Sequence, residues 1–264
     1  MPERAPGFES QPRRFFFESK TENKISLSSQ LKTMNIVVIG PAGSGKSTFV
    51  KSFLEYLNDA KAVNLDPASD PIYKADKDIR DFIRTEKIMK DFNLGINGAL
   101  IKSMELSLNY IDELILKDDY VLYDTPGQME LFLYLSSGTD IAEKIANSDK
   151  TIAIFIVDAK VASTPENYVS ILAQNAVISL RTEIPTITVF NKCDTTKFEL
   201  TPLKVKEMLK EGGVLSELME KLVDFVEETT VRYRTIKISA LKKEGFDDVF
   251  SAINEVFCSC GDLS

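Results

Sequence analysis

The sequence contains no histidine among its 264 residues. Because histidine is the usual general base, proton shuttle and zinc ligand, its absence excludes histidine-based catalytic triads, histidine-ligated zinc sites and phosphohistidine relays. Proton chemistry must therefore use Asp, Glu, Lys, Tyr or water. Cysteine is also scarce, with only Cys193, Cys258 and Cys260. These three lack C-x-x-C spacing, which favours reduced thiols in a cytoplasmic protein over a disulfide framework or a metal site.

Long apolar runs and an excess of basic charge are missing as well. The longest uninterrupted apolar run, Ile152–Val157, is far shorter than the about 18 residues of a membrane-spanning helix. The 40 acidic residues outnumber the 32 basic ones, and the net charge is −8. This balance disfavours a broad grip on the phosphate backbone of a nucleic acid. We therefore expect neither membrane insertion nor direct nucleic-acid binding.

The first 33 residues differ from the rest of the chain. They combine several prolines with scattered charge and show no sustained hydrophobic period. Four glutamates and the lack of a long apolar core disfavour a transit peptide and a signal peptide. We expect residues 1–33 to be a disordered N-terminal extension. Met34 stands directly before the first predicted strand, so the stretch ahead of it is either an upstream extension or part of the native chain.

From Asn35 onward, short β-branched runs alternate with longer amphipathic stretches. This alternation predicts an α/β fold, a doubly wound and mainly parallel sheet flanked by helices. The predicted strands are Ile36–Ile39, Lys61–Leu65, Tyr120–Tyr123, Thr151–Val157, Thr186–Phe190 and Arg234–Ile238. The predicted helices are Gly45–Asn58, Ala99–Leu116, Pro165–Leu180, Asp247–Phe257 and, in pieces, Leu203–Thr229. In Ala99–Leu116 an apolar stripe formed by Ile101, Met104, Leu108, Ile111 and Ile115 indicates a core face or a subunit contact.

A phosphate-binding loop follows the first strand. Gly40–Thr48 reads GPAGSGKST and fits the pattern G-x4-G-K-[ST] between a strand and a helix. Its glycines let consecutive N–H groups and the helix N-terminus surround a phosphate. Lys46 is expected to bridge phosphate oxygens, and the Ser47 hydroxyl to ligate Mg²⁺. The nucleotide-binding candidates in this loop are Gly43, Ser44, Gly45, Lys46, Ser47 and Thr48.

Two further patterns follow later strands. Asp124 begins D-T-P-G-Q at the end of a buried strand, where a nucleotide-bound Mg²⁺ needs an oxygen partner. In the same loop, Gly127 is placed to offer its backbone N–H to the terminal phosphate. The Asp124 carboxylate is therefore the second candidate metal ligand, beside Ser47.

The N-K-C-D sequence, Asn191–Asp194, follows the strand predicted at Thr186–Phe190. An Asp carboxylate accepts two hydrogen bonds from the ring N–H and the exocyclic amine of guanine, so Asp194 selects GTP over ATP. Asn191 can bond the base and neighbouring backbone, and the Lys192 stem can lie along the ring. Backbone N–H groups of Ser239 and Ala240, at the last strand end, are placed to meet the guanine oxygen. A simple surface turn is the alternative for N-K-C-D taken alone.

The motifs and their order resemble those of the GPN-loop GTPases, a branch of the P-loop NTPases. The resemblance covers nearly all of residues 34–257. It rests on GPAGSGKST, on N-L-D-P-A at Asn64–Ala68, on D-I-R-D at Asp78–Asp81, on D-T-P-G-Q-x-E at Asp124–Glu130, and on N-K-C-D. Because the chain stops soon after its last helix without a long acidic tail, it looks most like the short archaeal members.

The resemblance implies a homodimer whose Gly-Pro-Asn loop reaches the partner's active site. The loop falls at Gly95-Ile96-Asn97, so Ile96 departs from the family pattern by replacing a residue that fixes φ. By this resemblance Asn97 contacts the terminal phosphate, Asp66 lies near the attacking water or Mg²⁺, and Gln128 orients the water. It also implies one GTPase domain, residues 34–264, with a helical insertion at about 67–117. On sequence alone, G-I-N-G is a turn between two helical segments.

These features predict a cytoplasmic enzyme that binds GTP with Mg²⁺ and hydrolyses it to GDP and phosphate by in-line attack of a positioned water. No arginine finger can be identified, and Arg80 and Arg84 are taken as surface or structural charges. A P-loop kinase or ATPase is the alternative. A GTP-operated assembly or switch factor with a protein partner is compatible with the activity, and a polymerase-related partner follows only by family analogy.

Overall fold

The computed structural model describes residues 33–209, 214–229 and 235–258. The extension predicted at 1–33 lies, apart from residue 33, outside the described residues. The same holds for Arg234, the first residue of the last predicted strand, and for Cys260.

In the described part of the chain, seven parallel strands form one sheet with the order β3-β2-β4-β1-β5-β6-β7. Their bounds are β1 Met34–Ile39, β2 Ala60–Asn64, β3 Lys77–Asp78, β4 Tyr120–Asp124, β5 Thr151–Asp158, β6 Thr186–Asn191 and β7 Ile236–Lys237. The central strands β1 and β5 are buried along almost their whole length, as expected for a sheet covered by helices on both faces.

Helices connect the strands and cover the sheet. Their bounds are α1 Lys46–Leu57, α2 Thr85–Asp91, α3 Ile96–Ser107, α4 Ile111–Leu114, α5 Met129–Tyr134, α6 Ser136–Ser148, α7 Pro165–Thr182, α8 Pro202–Leu209, α9 Val214–Thr229 and α10 Phe246–Cys258. Short 3₁₀ turns occur at Ile79–Asp81, Leu108–Tyr110 and Val161–Ser163. No described helix combines the length and apolar character required to cross a membrane.

The strand order puts the sequence motifs at one edge of the sheet. β1 lies between β4 and β5. The earlier strands lie on one side of β1 and the later strands on the other, so the chain connections change direction beside it. In open α/β sheets ligands bind at such a switch point, outside the carboxyl ends of the strands. The loops after β1, β4, β6 and β7 carry the P-loop, D-T-P-G-Q, N-K-C-D and Ser239-Ala240, in that order.

The predicted α/β fold is confirmed, and the predicted strands agree with the observed ones to within one or two residues. The stretch predicted as helical at Ala99–Leu116 is helical through Leu114, but it is not one continuous helix. The chain instead forms α3, a 3₁₀ turn at Leu108–Tyr110, and α4. Ser103 and Ser107 donate their hydroxyls to carbonyls four residues back, at 2.7 Å each, an arrangement that weakens and bends helices.

The apolar stripe predicted on that helix is only partly a core face. Met104 and Ile111 are each 1% exposed, whereas Ile101 is 38% exposed. Ile101 and Met104 both belong to α3, before the 3₁₀ turn, so Ile101 lies at the solvent-facing edge of the stripe within that helix. The structure adds β3, α5 and α6, which the sequence pattern does not predict, and α2 is the helical segment expected before Gly95.

Candidate functional site

The P-loop holds its shape because three positions require glycine. Gly43 and Gly45 have φ values of +76° and +94°, in the region that side chains disfavour. Gly40 has ordinary backbone angles, but a Cβ there would lie 2.3 Å from the carbonyl oxygen of Ile156 in β5. The loop therefore packs against β5, and α1 begins at its last residues.

Lys46, the first residue of α1, lies in this loop with only 7% exposure. Its Nζ donates to the carbonyl oxygens of Gly40 at 2.8 Å and Pro41 at 3.3 Å. Burial lowers its pKa, and the negative charges of Asp124, Asp66 and Glu130 oppose that shift. The ammonium is thus held at the phosphate loop within a field of three carboxylates.

Asp124 ends β4 beside the P-loop and is 3% exposed. Burial raises the pKa of its carboxyl to about 6, while the nearby Ser47 hydroxyl, Lys46 ammonium and Tyr73 hydroxyl lower it. Tyr73 donates its hydroxyl to Asp124 Oδ2 at 3.1 Å. The other oxygen, Oδ1, is buried and has no hydrogen-bond partner among the described residues.

Ser47 and Asp124 fit a magnesium ion. Mg²⁺ keeps several waters and is usually held by one or two carboxylates together with substrate phosphates. One hydroxyl beside one carboxylate with an unpaired oxygen provides that donor set. The described residues contain no group of three or more His, Cys, Asp or Glu side chains arranged for a metal ion.

Asp66 joins two loops at the edge of the cleft. Its carboxylate accepts from the backbone N–H of Ala68 at 2.9 Å and from that of Gly127, in the D-T-P-G-Q loop, at 3.4 Å. Its own N–H donates to Asn64 Oδ1 at 3.1 Å. The Gly127 N–H, expected at a terminal phosphate, thus donates to Asp66 instead. Gln128 precedes α5 and is exposed.

Arg80 is part of the framework behind this loop. It forms an ion pair with Asp70 and a bidentate contact with Asp78, at 2.6 to 3.1 Å, and only 14% of its side chain is exposed. Asn64 donates to the same Asp78 at 3.0 Å. These contacts tie Arg80 to two carboxylates of the framework.

Asn191, the last residue of β6, connects three loops. Its Nδ2 donates to the Ser44 carbonyl at 3.0 Å, and its Oδ1 accepts from the N–H groups of Lys192 at 2.8 Å and Ala240 at 3.0 Å. A Cβ at Gly45 would lie 2.4 Å from the same Nδ2. With 2% exposure, Asn191 bonds backbone on three loops and is covered by them.

Lys192 and Asp194 follow on the same loop. Lys192 donates to the Gly43 carbonyl at 2.6 Å and to the Asp158 carboxylate at 2.9 Å, and that ion pair contributes to lowering the pKa of Asp158. Within the part of the chain that the structure describes, no hydrogen bond or ion pair engages the Asp194 carboxylate. It is half-buried beside Cys193, whose thiol pKa is raised by burial.

Ser239 and Ala240 lie next to this loop, as the sequence predicts. Their backbone N–H groups, however, donate within the protein. That of Ser239 donates to the Glu244 carbonyl at 3.2 Å, and that of Ala240 donates to Asn191. The Ser239 hydroxyl accepts from Lys242 N–H at 3.2 Å.

A cleft of about 530 Å³ opens at the carboxyl edge of the sheet. Among the residues predicted for the site, those that line it are Gly43, Gly45, Lys46, Ser47, Thr48, Asp66, Asp124, Gly127 and Lys192. The others lie outside the lining: Ser44, Asn191, Ser239 and Ala240, which are buried, together with Gln128 and Asp194. Tyr73 and Asp158 are contacts that sequence reasoning missed. Tyr73 is 51 residues from its partner Asp124, and no motif marks it.

Asn97 also lies outside the lining of this cleft. Gly95 precedes α3 in an extended conformation, and Ile96 and Asn97 are the first two residues of that helix. Ile96 is 53% exposed. The loop therefore presents its residues to solvent and not to the chain's own nucleotide cleft.

Comparison with known proteins agrees with this geometry. Residues 38–259 match the family model described as "Conserved hypothetical ATP binding protein". The chain is 33% identical to GPN-loop GTPase 1 of Saccharomyces cerevisiae, over 83% of this chain and 65% of that one. It is 30% identical to GPN-loop GTPase 1 of Dictyostelium discoideum, over 83% of this chain and 60% of that one. It thus spans less than two thirds of these two relatives.

An archaeal relative is covered throughout. The GPN-loop GTPase of Pyrococcus abyssi is 30% identical over 88% of this chain and 100% of its own length. Its crystal structure, described as that of a GTPase in apo form, superimposes with a TM-score of 0.74 at 30% identity, covering 86% of this chain and 98% of that one. Agreement in sequence over 88% of this chain and in fold over 86% of it shows that this chain belongs to the GPN-loop GTPase family.

Proposed function

We propose that this protein binds guanine nucleotide with Mg²⁺ and hydrolyses GTP to GDP and phosphate. The observation that carries the proposal is the Asn191 side chain, which joins the N-K-C-D loop to the P-loop through the Ser44 carbonyl at 3.0 Å. This contact makes the phosphate-binding and base-reading elements one unit. The names of the relatives, GPN-loop GTPases, support the same activity.

Guanine selection is assigned to Asp194. Its carboxylate has no partner among the described residues, and an ionised carboxylate only accepts hydrogen bonds. The ring N–H and exocyclic amine of guanine supply two donors, whereas adenine offers a different pattern at that edge. Lys192, held by Gly43 and Asp158, supports the base from the side. The family model's description names ATP, but ATP binding would leave Asp194 without a role.

Hydrolysis in this site depends on positioning and charge. The Lys46 ammonium, buried at the P-loop, stabilises negative charge on the phosphate oxygens, together with backbone N–H groups of the loop. Ser47 and Asp124 would hold Mg²⁺, which would neutralise further phosphate charge when bound. Asp66, fixed by the N–H groups of Ala68 and Gly127, and Gln128 orient the attacking water.

We further propose a homodimer in the cytoplasm that acts as an assembly or switch factor. Asn97 lies outside its own chain's cleft and at an exposed helix start, which supports a role at the partner's site. In that arrangement Asn97 contacts the terminal phosphate of the nucleotide or the phosphate released by hydrolysis. The bound nucleotide then determines the shape of the dimer. By family analogy its protein partner is polymerase-related. As expected of a switch, binding of that partner depends on which nucleotide is loaded.

The test is phosphate release from GTP and from ATP in parallel, with Mg²⁺, on the purified chain. We expect GTP-selective turnover that falls in Asp66→Ala and Gln128→Leu. Asp140→Asn, which changes an exposed carboxylate on α6, is the control and should turn over as the unmodified protein does. Equal use of ATP, or phosphate transfer to an added hydroxyl acceptor, would favour the P-loop ATPase or kinase alternative.

A further inference from the structure

The two oxygens of the Asp124 carboxylate have different surroundings. Oδ2 accepts the Tyr73 hydroxyl at 3.1 Å. Oδ1 is buried and, among the described residues, has no hydrogen-bond partner. Leaving a buried acceptor unpaired is unfavourable, so this oxygen calls for an explanation such as a bound ion. The carboxylate is thus held at one oxygen and available at the other.

Tyr73 lies on a segment of chain that borders the nucleotide cleft. Residues 65–76 run from the end of β2 to the start of β3, and Ser69, Asp70, Pro71 and Ile72 of this segment line the cleft. Asp70 is anchored by its ion pair with Arg80. At its far end, Asp76 exchanges hydrogen bonds with Ala62 in β2, where its N–H donates at 2.7 Å and its carboxylate accepts at 3.0 Å. Tyr73 is therefore carried by a backbone that is fixed on both sides of it.

The Tyr73 hydroxyl is suited to donate to this carboxylate. A phenol ordinarily titrates at about pH 10 and therefore carries its proton at neutral pH. A neutral hydroxyl has one hydrogen to donate, and the ionised carboxylate can only accept it.

We propose that Tyr73 is a positioning residue for the magnesium site, holding Asp124 Oδ2 through its hydroxyl so that Oδ1 is presented to the cation. This inference rests on the proposed function, because it assigns Mg²⁺ to Ser47 and Asp124. It goes further by naming the residue that orients the metal carboxylate. Hydrogen-bonded partners of metal ligands typically contribute tenfold to a hundredfold to metal affinity.

The test compares Tyr73→Phe with a matched hydroxyl deletion elsewhere. Tyr56 also donates its hydroxyl to a carboxylate, Asp247, at 2.6 Å, but on the outer face formed by α1 and α10. Dissociation of a fluorescent N-methylanthraniloyl-GDP from the full chain is measured over a series of Mg²⁺ concentrations and in excess chelator. We expect the Mg²⁺ concentration that half-maximally slows dissociation to rise about tenfold in Tyr73→Phe. The rate in chelator should stay unchanged, and Tyr56→Phe should match the unmodified protein.

The outcomes separate this inference from the proposed function. If the unmodified protein binds no guanine nucleotide, or binds it with no effect of Mg²⁺, the proposed function fails and the inference fails with it. If Mg²⁺ slows dissociation in the unmodified protein but Tyr73→Phe has the same midpoint, only the role of Tyr73 is refuted. If Tyr73→Phe changes the dissociation rate in excess chelator but leaves the half-maximal Mg²⁺ concentration unchanged, Tyr73 contributes to packing and not to the metal site.

A second comparison asks whether Tyr73 acts through Asp124. In the Asp124→Asn background, Tyr73→Phe should produce no further shift of the Mg²⁺ midpoint, because the residue it positions is already lost. An additional tenfold shift in that background would contradict the inference. Thermal unfolding of each variant verifies that the fold is retained before the Mg²⁺ series is read.

Discussion

Replacing Asn191 with alanine tests the connection between the phosphate loop and the base-reading loop. The substitution removes one donor to the Ser44 carbonyl and one acceptor for the N–H groups of Lys192 and Ala240. At about 1 kcal/mol for each of these hydrogen bonds, the free energy of unfolding should fall by about 3 kcal/mol. For a domain of this size that corresponds to a loss of about 6–12 °C in Tm.

The same substitution should weaken GDP binding at least tenfold, because the P-loop and N-K-C-D loop would no longer be held together. Asn175→Ala is the matched control. Asn175 is equally buried and donates to Thr186 and Thr188, toward the opposite end of β6. It should lose about 2 kcal/mol of stability by the same reasoning without a change in GDP affinity. Urea unfolding and calorimetric titration measure the two quantities. Equal GDP affinity in Asn191→Ala and in the unmodified protein would refute the connection.

Three further predictions concern charge and backbone. Burial raises the pKa of Asp124 to about 6, so this carboxyl is protonated below that pH. The slowing of GDP release by Mg²⁺ should therefore weaken below about pH 6. In Asp124→Asn the effect of Mg²⁺ on GDP release should not depend on pH in this range. Asp158→Asn should reduce GDP affinity only a few-fold in calorimetry, because its ion pair with Lys192 is partly exposed. Ile96→Pro should raise the unfolding free energy by about 0.4–1 kcal/mol in urea titration, because Ile96 is the first residue of α3 and Gly95 is already extended; a loss of stability would contradict that assignment.

The parts of the site that could be predicted are those encoded locally. A strand, the pattern G-x4-G-K-[ST] and a helix follow one another without interruption, so Lys46 and Ser47 can be located from the sequence. Asp124 and Asn191 each end a strand, and parallel strands bring their carboxyl ends to one edge. The cleft therefore lies where the motifs indicate, beside β1.

The parts that could not be predicted depend on distant contacts. Tyr73 reaches Asp124 across 51 residues, and no spacing rule links them. The N–H groups of Ser239 and Ala240 stand at the expected strand end, but Glu244 and Asn191 accept from them. Such pairings are decided by packing in three dimensions and not by the residue types alone.

Helix α6 could not be predicted from the helix propensity of its own residues. It begins with Ser-Ser-Gly-Thr, residues that are weak helix formers, and no side chain caps it. Its stability comes from burying Ile141, Ala142 and Ile145. Gly138 allows the helix to approach α5 closely, since a Cβ there would lie 2.3 Å from the Phe132 carbonyl oxygen.

The most direct test of guanine recognition is the Asp194→Asn variant, measured by equilibrium binding of GDP, ADP and xanthosine diphosphate. Xanthine carries a carbonyl where guanine has its exocyclic amine, and an asparagine amide can donate to it. We predict that the unmodified protein prefers GDP over ADP, and that the variant loses at least about a hundredfold in GDP affinity while gaining xanthosine diphosphate binding. Unchanged GDP affinity in the variant, or equal binding of ADP and GDP by the unmodified protein, would contradict the assignment of Asp194 as the base-reading residue.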